Sequence, residues 1–152
     1  SNTSRSFHLL LLAALAARGA FGLQFLVMGD WGGDENAPYT TQGELAVASA
    51  MAKRATEVNA RFVVALGDNF YHEGVTGLDD PRFNQTFESV FSDPALQVPW
   101  FVCLGNHDWN GNITAQLEYS NVSDRWNMPN PWYSFTRTFA DESGGVDVSL
   151  QW

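Results

Sequence analysis

Three short apolar runs, each ending in the same kind of polar turn, constrain this chain more than any other feature. Leu23 to Met28 runs into Gly29-Asp30, Arg61 to Leu66 into Gly67-Asp68, and Val98 to Leu104 into Gly105-Asn106. Asp30, Asp68 and Asn106 are spaced 38 residues apart in both steps. Runs of this length, rich in β-branched and aromatic residues and bounded by glycine, read as buried strands. Helical patterns lie between them. Thr41 with Glu44 makes a capping box ahead of Leu45, Ala48, Ala52 and Ala55. Asp80-Pro81 starts a second helix with Phe83, Phe87, Val90 and Phe91 on one face. Alternating strands and helices imply an α/β chain with a parallel sheet wrapped by crossovers. Loops at the carboxyl ends of such strands gather on one edge, so the three polar turns are expected to converge. Farther on, Tyr133, Phe135, Arg137 and Phe139 alternate with smaller or polar residues. Asp141 to Gly145 supplies a turn, and Val146, Val148, Leu150 and Trp152 alternate again, which reads as a β-hairpin.

Converging turns matter because of what they carry. Asp30, Asp68 and Asn106 are hard oxygen donors, one per strand end, and glycine before each keeps the donor clear at the sheet edge. A carboxylate can bridge two ions. Tyr71 follows Asp68 closely enough to bind the same metal, and His107 beside Asn106 could give a proton or hydrogen bond to a leaving oxygen. Each element alone has a plainer reading. Gly-Asp after a strand is commonly a turn or cap, a lone tyrosine a half-buried aromatic, a lone histidine a surface group. The three together point to metal binding.

The charge balance narrows the partners. Seventeen acidic against 8 basic residues give a formal net charge of -9, with no Lys/Arg cluster, which argues against nucleic acid or anionic lipid. An anionic substrate would need local positive charge such as metal ions. Residues 1–22 read as a signal peptide: Arg5, an apolar Leu/Ala run from Leu9 to Ala17, then small residues. That run is too short to span a bilayer, and a buried Leu/Ala helix is the alternative. Three Asn-x-Ser/Thr triplets, at Asn84, Asn112 and Asn121, are candidate glycosylation sites and agree with a secretory route. Cys103, the single cysteine, lies in an apolar run and reads as a buried inert thiol.

Gly29-Asp30-Trp31-Gly32-Gly33, Gly67-Asp68-Asn69-Phe70-Tyr71 and Gly105-Asn106-His107-Asp108 resemble the first three of the five purple acid phosphatase motifs. The flanking residues are similar to the small animal form, the tartrate-resistant acid phosphatases, over about residues 24–139. Asn36-Ala37-Pro38, Val98-Pro99-Trp100 and Arg125-Trp126-Asn127 are among the matching segments. The resemblance implies a calcineurin-like metallophosphoesterase fold, a β-sheet sandwich flanked by helices, with residues 23–152 forming its N-terminal part. It implies hydrolysis of phosphate monoesters by metal-hydroxide attack at an Fe(III) ion paired with a second divalent metal, Fe(II) or Zn. Asp30 and Tyr71 would bind the ferric ion and Asp68 would bridge. Asn106 would bind the divalent ion, and His107 would serve the phosphate or leaving group. Tyrosinate-to-iron charge transfer would colour the protein. A lysosomal or secreted protein, monomeric when complete, is the matching expectation.

The family's later histidine motifs have no counterpart here, since the only histidines are His8, His72 and His107. The chain is therefore expected to be an incomplete domain, and inactive by itself. Two other readings stay open: a related metallophosphodiesterase and a non-catalytic secreted glycoprotein. The first usually carries Asp-x-His where this chain has Asp30-Trp31-Gly32. A dinucleotide-binding domain is excluded, because no Gly-x-Gly-x-x-Gly follows the first strand.

Overall fold

The computed structural model describes residues 22–141 and 144–151. Nearly all of the expected signal peptide, residues 1–22, lies outside the described residues. Four strands, β1 (Leu26–Met28), β2 (Val63–Ala65), β3 (Trp100–Val102) and β4 (Trp126–Asn127), pair in parallel in the order β1-β2-β3-β4. The first three are shorter than the apolar runs that contain them, and the polar turns that follow lie at the sheet edge. Backbone bonds such as Leu66 N–H to the Met28 carbonyl (2.7 Å) and Asp30 N–H to the Gly67 carbonyl (3.2 Å) carry the pairing onward.

Both faces of the sheet are covered, as a parallel sheet requires. Val63, Ala65, Trp100 and Val102 face the main core. Their neighbours Val64 and Phe101, with Phe62, face a smaller cluster on the other side. The first face holds α1 (Gln42–Val58) and a set of packed rings. Trp31 lies within 5.6–6.2 Å of Phe70, Phe87, Phe91, Trp100 and Trp126. Rings at these separations and tilted angles add to the apolar area they bury.

The α1 helix begins at the expected capping box. The Thr41 side chain accepts from Glu44 N–H at 3.0 Å and the Glu44 carboxylate accepts from Thr41 N–H at 3.3 Å. Ala48, Ala52 and Ala55 are buried, but Leu45 is 42% exposed. The cap itself explains this difference. Glu44, folded back over the first turn, takes the inward position one turn ahead of Ala48, which leaves Leu45 rotated outward.

The segment after Asp80-Pro81 forms a π-helical turn over Phe83–Glu88, with Ser89 N–H donating to the Asn84 carbonyl at 2.8 Å. Phe83, Thr86 and Phe87 are all buried in it, and Phe91 follows them inward. Helix α2 (Ile113–Glu118) is one the pattern did not predict. At six residues it is too short to show a period, and its signal is the Asn112 side chain accepting from Ala115 N–H at 3.1 Å. The expected hairpin is present as β5 (Ser134–Asp141) and β6 (Gly144–Gln151), antiparallel from Ser134↔Gln151 to Asp141↔Gly144. It covers the second face of the sheet, with the Phe135 ring stacked on Phe101 at 3.6 Å.

Candidate metal centre

The three polar turns meet at the carboxyl edge of the sheet. The Tyr71 hydroxyl donates to Asp30 Oδ1 at 3.0 Å and lies 3.4 Å from Asp68 Oδ2, so the two carboxylates and the phenol form one oxygen cluster. Asp30 is exposed, and Asp68 and Tyr71 are half-buried. Burial and then the adjacent Asp30 and Asp68 carboxylates push the Tyr71 phenol well above its ordinary range. Among the described residues neither carboxylate forms an ion pair.

The third turn closes around the second. His107 N–H donates to Asp68 Oδ1 at 3.1 Å, and a Cβ on Gly105 would sit 2.1 Å from that same oxygen. Glycine at 105 is therefore required by space. Asn106, exposed, lies between these two residues and so flanks Asp68 on the same edge. Gly32 is required in the same way, because a Cβ there would fall 2.6 Å from Tyr71 N, whose N–H donates to the Gly32 carbonyl. The left-handed backbone at these turns is not confined to glycine. Asp30 (φ 54°) and Asp68 (φ 52°) themselves adopt it, alongside Gly67 (φ 96°). Non-glycine residues held there are strained, and such strain collects at functional sites.

His107 is oriented by a main-chain contact. Its Nδ1 lies 2.7 Å from the His72 carbonyl, which can only accept, so Nδ1 carries the hydrogen. The edge of the ring that bears Nε2 remains for other partners. The Tyr71 and His107 rings sit 4.8 Å apart, edge to face. His72 itself is exposed, with its Nδ1 3.6 Å from the Glu35 carboxylate.

Sequence reasoning missed the support beneath this edge. Asp108 is fully buried, and its carboxylate accepts from Gly105 N–H (2.8 Å), Gln116 Nε2 (2.9 Å) and, through both oxygens, Asn69 N–H (3.2 Å). Asn69 Nδ2 in turn donates to Gln116 Oε1 (3.2 Å) and to the Cys103 carbonyl (2.9 Å). One buried acid thus clamps the turn carrying Asp68 and Tyr71 to the turn carrying Asn106 and His107. Burial is also what raises its carboxyl above the ordinary range. Asp108 stands in the third motif, but nothing in the pattern marked Gln116. Cys103, expected to be buried, is half-buried, and burial pushes its thiol upward. A second buried pair holds the outer side: Arg82 bonds both oxygens of Asp80 (2.8 and 3.0 Å) and reaches the Tyr71 carbonyl at 3.4 Å. A cleft of about 300 Å³ leads from Asp30 and Tyr71 past Trp31 and Met28 to Glu44. The triplet asparagines Asn84, Asn112 and Asn121 are all exposed.

Comparison with known proteins agrees with this architecture. The calcineurin-like phosphoesterase family model matches residues 23–149. Tartrate-resistant acid phosphatase type 5 of Homo sapiens is 50% identical over 125 residues, which cover 82% of this chain and 38% of the human protein. Purple acid phosphatase 4 of Arabidopsis thaliana is 38% identical over 106 residues, covering 68% of this chain and 30% of the plant protein. A solved structure of GAP50, the anchor in the inner membrane complex of Plasmodium, superposes with a TM-score of 0.72 at 32% identity, over 85% of this chain and 41% of that one. The chain thus spans well under half the length of each of these relatives. Fold, motif order and family match converge on one assignment: the chain belongs to the calcineurin-like phosphoesterase family.

Proposed function

We propose that this chain is part of an acid phosphatase that hydrolyses phosphate monoesters at a dinuclear centre of Fe(III) and a divalent ion, Fe(II) or Zn. The supporting observation is the oxygen cluster of Asp30, Asp68 and Tyr71, held within 3.0 and 3.4 Å and lacking a neutralising cation among the described residues. Carboxylates, a phenol and an amide oxygen suit hard ions, so the donor set fits such a centre. Asp30 and Tyr71 would hold the ferric ion, Asp68 both ions, and Asn106 the divalent one. When bound, the ions supply Lewis-acid polarisation and acidified water.

The protein's own part is positioning and proton handling. Asp68 is oriented from the third turn by the His107 N–H, which ties the turn carrying Asp68 and Tyr71 to the turn carrying Asn106 and His107. With Nδ1 committed to the His72 carbonyl, His107 Nε2 is the ring atom that would face phosphate or hold a proton for the leaving oxygen. The secretory route, with glycans at Asn84, Asn112 and Asn121, belongs to the same proposal. No helix among the described residues is long and apolar enough to cross a membrane. His107→Ala in the full-length natural protein, loaded with iron and zinc, should lower turnover of an aryl phosphate at acidic pH by about a hundredfold. Metal content should stay unchanged; undiminished turnover would remove His107 from the chemistry. A second reading, a non-catalytic glycoprotein that keeps the fold, draws support from the likeness to GAP50, an anchor by description. No phosphate release from the metal-loaded full-length protein would favour it.

A further inference from the structure

Two large rings stand exposed on one loop surface without a role in the site described above. Trp109 is 48% exposed and Trp132 is 73% exposed, and their ring centroids lie 6.0 Å apart at a tilt of 38°. Trp109 belongs to the short turn Asp108–Asn110 that follows His107, and Asn112 comes three residues after it, in the triplet Asn112-Ile113-Thr114. Three residues of chain reach at most about 10 Å, so the backbones of Trp109 and Asn112 are close neighbours on this surface.

The Asn112 side chain is already oriented. Its Oδ1 accepts from Ala115 N–H at 3.1 Å and its Nδ2 donates to the Thr76 carbonyl at 3.4 Å. One amide hydrogen is thereby used and the other is left for substitution on an exposed residue. The two other triplets lack such a ring. Beside Asn84, Phe83 and Phe87 are buried, and beside Asn121, Tyr119 is only 7% exposed.

We propose that Trp109, backed by Trp132, is an aromatic platform for the first N-acetylglucosamine of a glycan on Asn112. The apolar face of the sugar covers indole surface that would otherwise be exposed to water. This rests on the reading of Asn112 as a glycosylated residue, and the experiment separates the two.

The full-length natural protein is secreted from a glycosylating eukaryotic host as four forms: unaltered, Trp109→Ala, Thr114→Ala, and the double variant. Thr114→Ala removes the triplet while keeping Asn112 and its cap. Peptide mapping should find the glycan on Asn112 in the first two forms only. Thr114→Ala should lower the melting temperature by about 2–4 °C when Trp109 is present. In the Trp109→Ala background it should have almost no effect. Trp132→Ala should give a partial version of the same coupling, which guards against a Trp109 variant that folds poorly. Enzymatic trimming to a single N-acetylglucosamine should leave the melting temperature of the unaltered protein in place. Equal effects of Thr114→Ala in both backgrounds would overturn the platform while leaving glycosylation intact. An unmodified Asn112 in the peptide map would overturn both, and would leave the paired rings to another partner.

Discussion

Asp108 shows how one residue outside the expected ligand list sets the geometry of those within it. Its carboxylate is saturated by N–H donors from two turns and from α2, and no cation pairs with it among the described residues. Asp108→Asn should leave one buried donor facing another, because Gln116 and Asn69 cannot both turn to suit an amide. A destabilisation of about 1–3 kcal/mol is the scale for such a mismatch. Adding Gln116→Glu restores an acceptor for the new amide at position 108 and for Asn69 Nδ2. The double variant should therefore recover much of the melting temperature, as read by thermal unfolding; no recovery would mean that the charge at 108 matters more than the pattern of donors. Tyr71 is the other decisive side chain. In the iron-loaded full-length protein Tyr71→Phe should abolish the visible charge-transfer band, and an unchanged spectrum would remove Tyr71 from the ligand set. Donors at the strand ends were legible from the sequence, because strand-then-glycine patterns fix where a side chain emerges. Left-handed Asp30 and Asp68 were not, since local preference assigns that conformation to the neighbouring glycines.

At the scale of single elements, α1 carries a pH response in its cap. Glu44 is 8% exposed, and burial raises its pKa to about 7 against the opposing hydrogen bond from Thr41. Its Oε1 has no hydrogen-bond partner among the described residues. The folded-state value lies above the unfolded value of 4.5, so the contribution is fully present below that pH and is lost as pH rises through about 7. Glu44→Gln retains the capping-box geometry but cannot ionise. It should flatten the fall in stability between pH 4.5 and 7. At pH about 8 it should be more stable than the parent by about 1–3 kcal/mol. Denaturant melts at several pH values check this, and parallel curves for the two proteins would refute it. The capping box was readable in advance, whereas its inward carboxylate was not. Thr41 and Glu44 advertise a helix start, but only the packed helix shows that Glu44 displaces Leu45 from the core-facing stripe.

Across the whole molecule, the parallel sheet is a two-faced frame. One face anchors the ring cluster around Trp31, and the other is covered by the hairpin through Phe135 and Val148. Trp31 directly follows Asp30, and Phe70 lies between Asp68 and Tyr71, so the core grips the backbone of the site through residues adjacent to its donors. This is why the order of the three motifs could be read from sequence while their supporting contacts could not. Repeating strand ends record topology, and the contacts among loops depend on side chains far apart in the chain. On the proposed reading, Asp68 would hold both ions and Asn106 only one of them. Elemental analysis of the full-length natural protein, loaded with iron and zinc and then dialysed, tests it most directly. A dinuclear centre predicts about two ions per chain in the unaltered protein, about one in Asn106→Ala and fewer than one in Asp68→Ala. An Asp68→Ala protein that folds normally and still holds two ions would rule out a centre shared through Asp68.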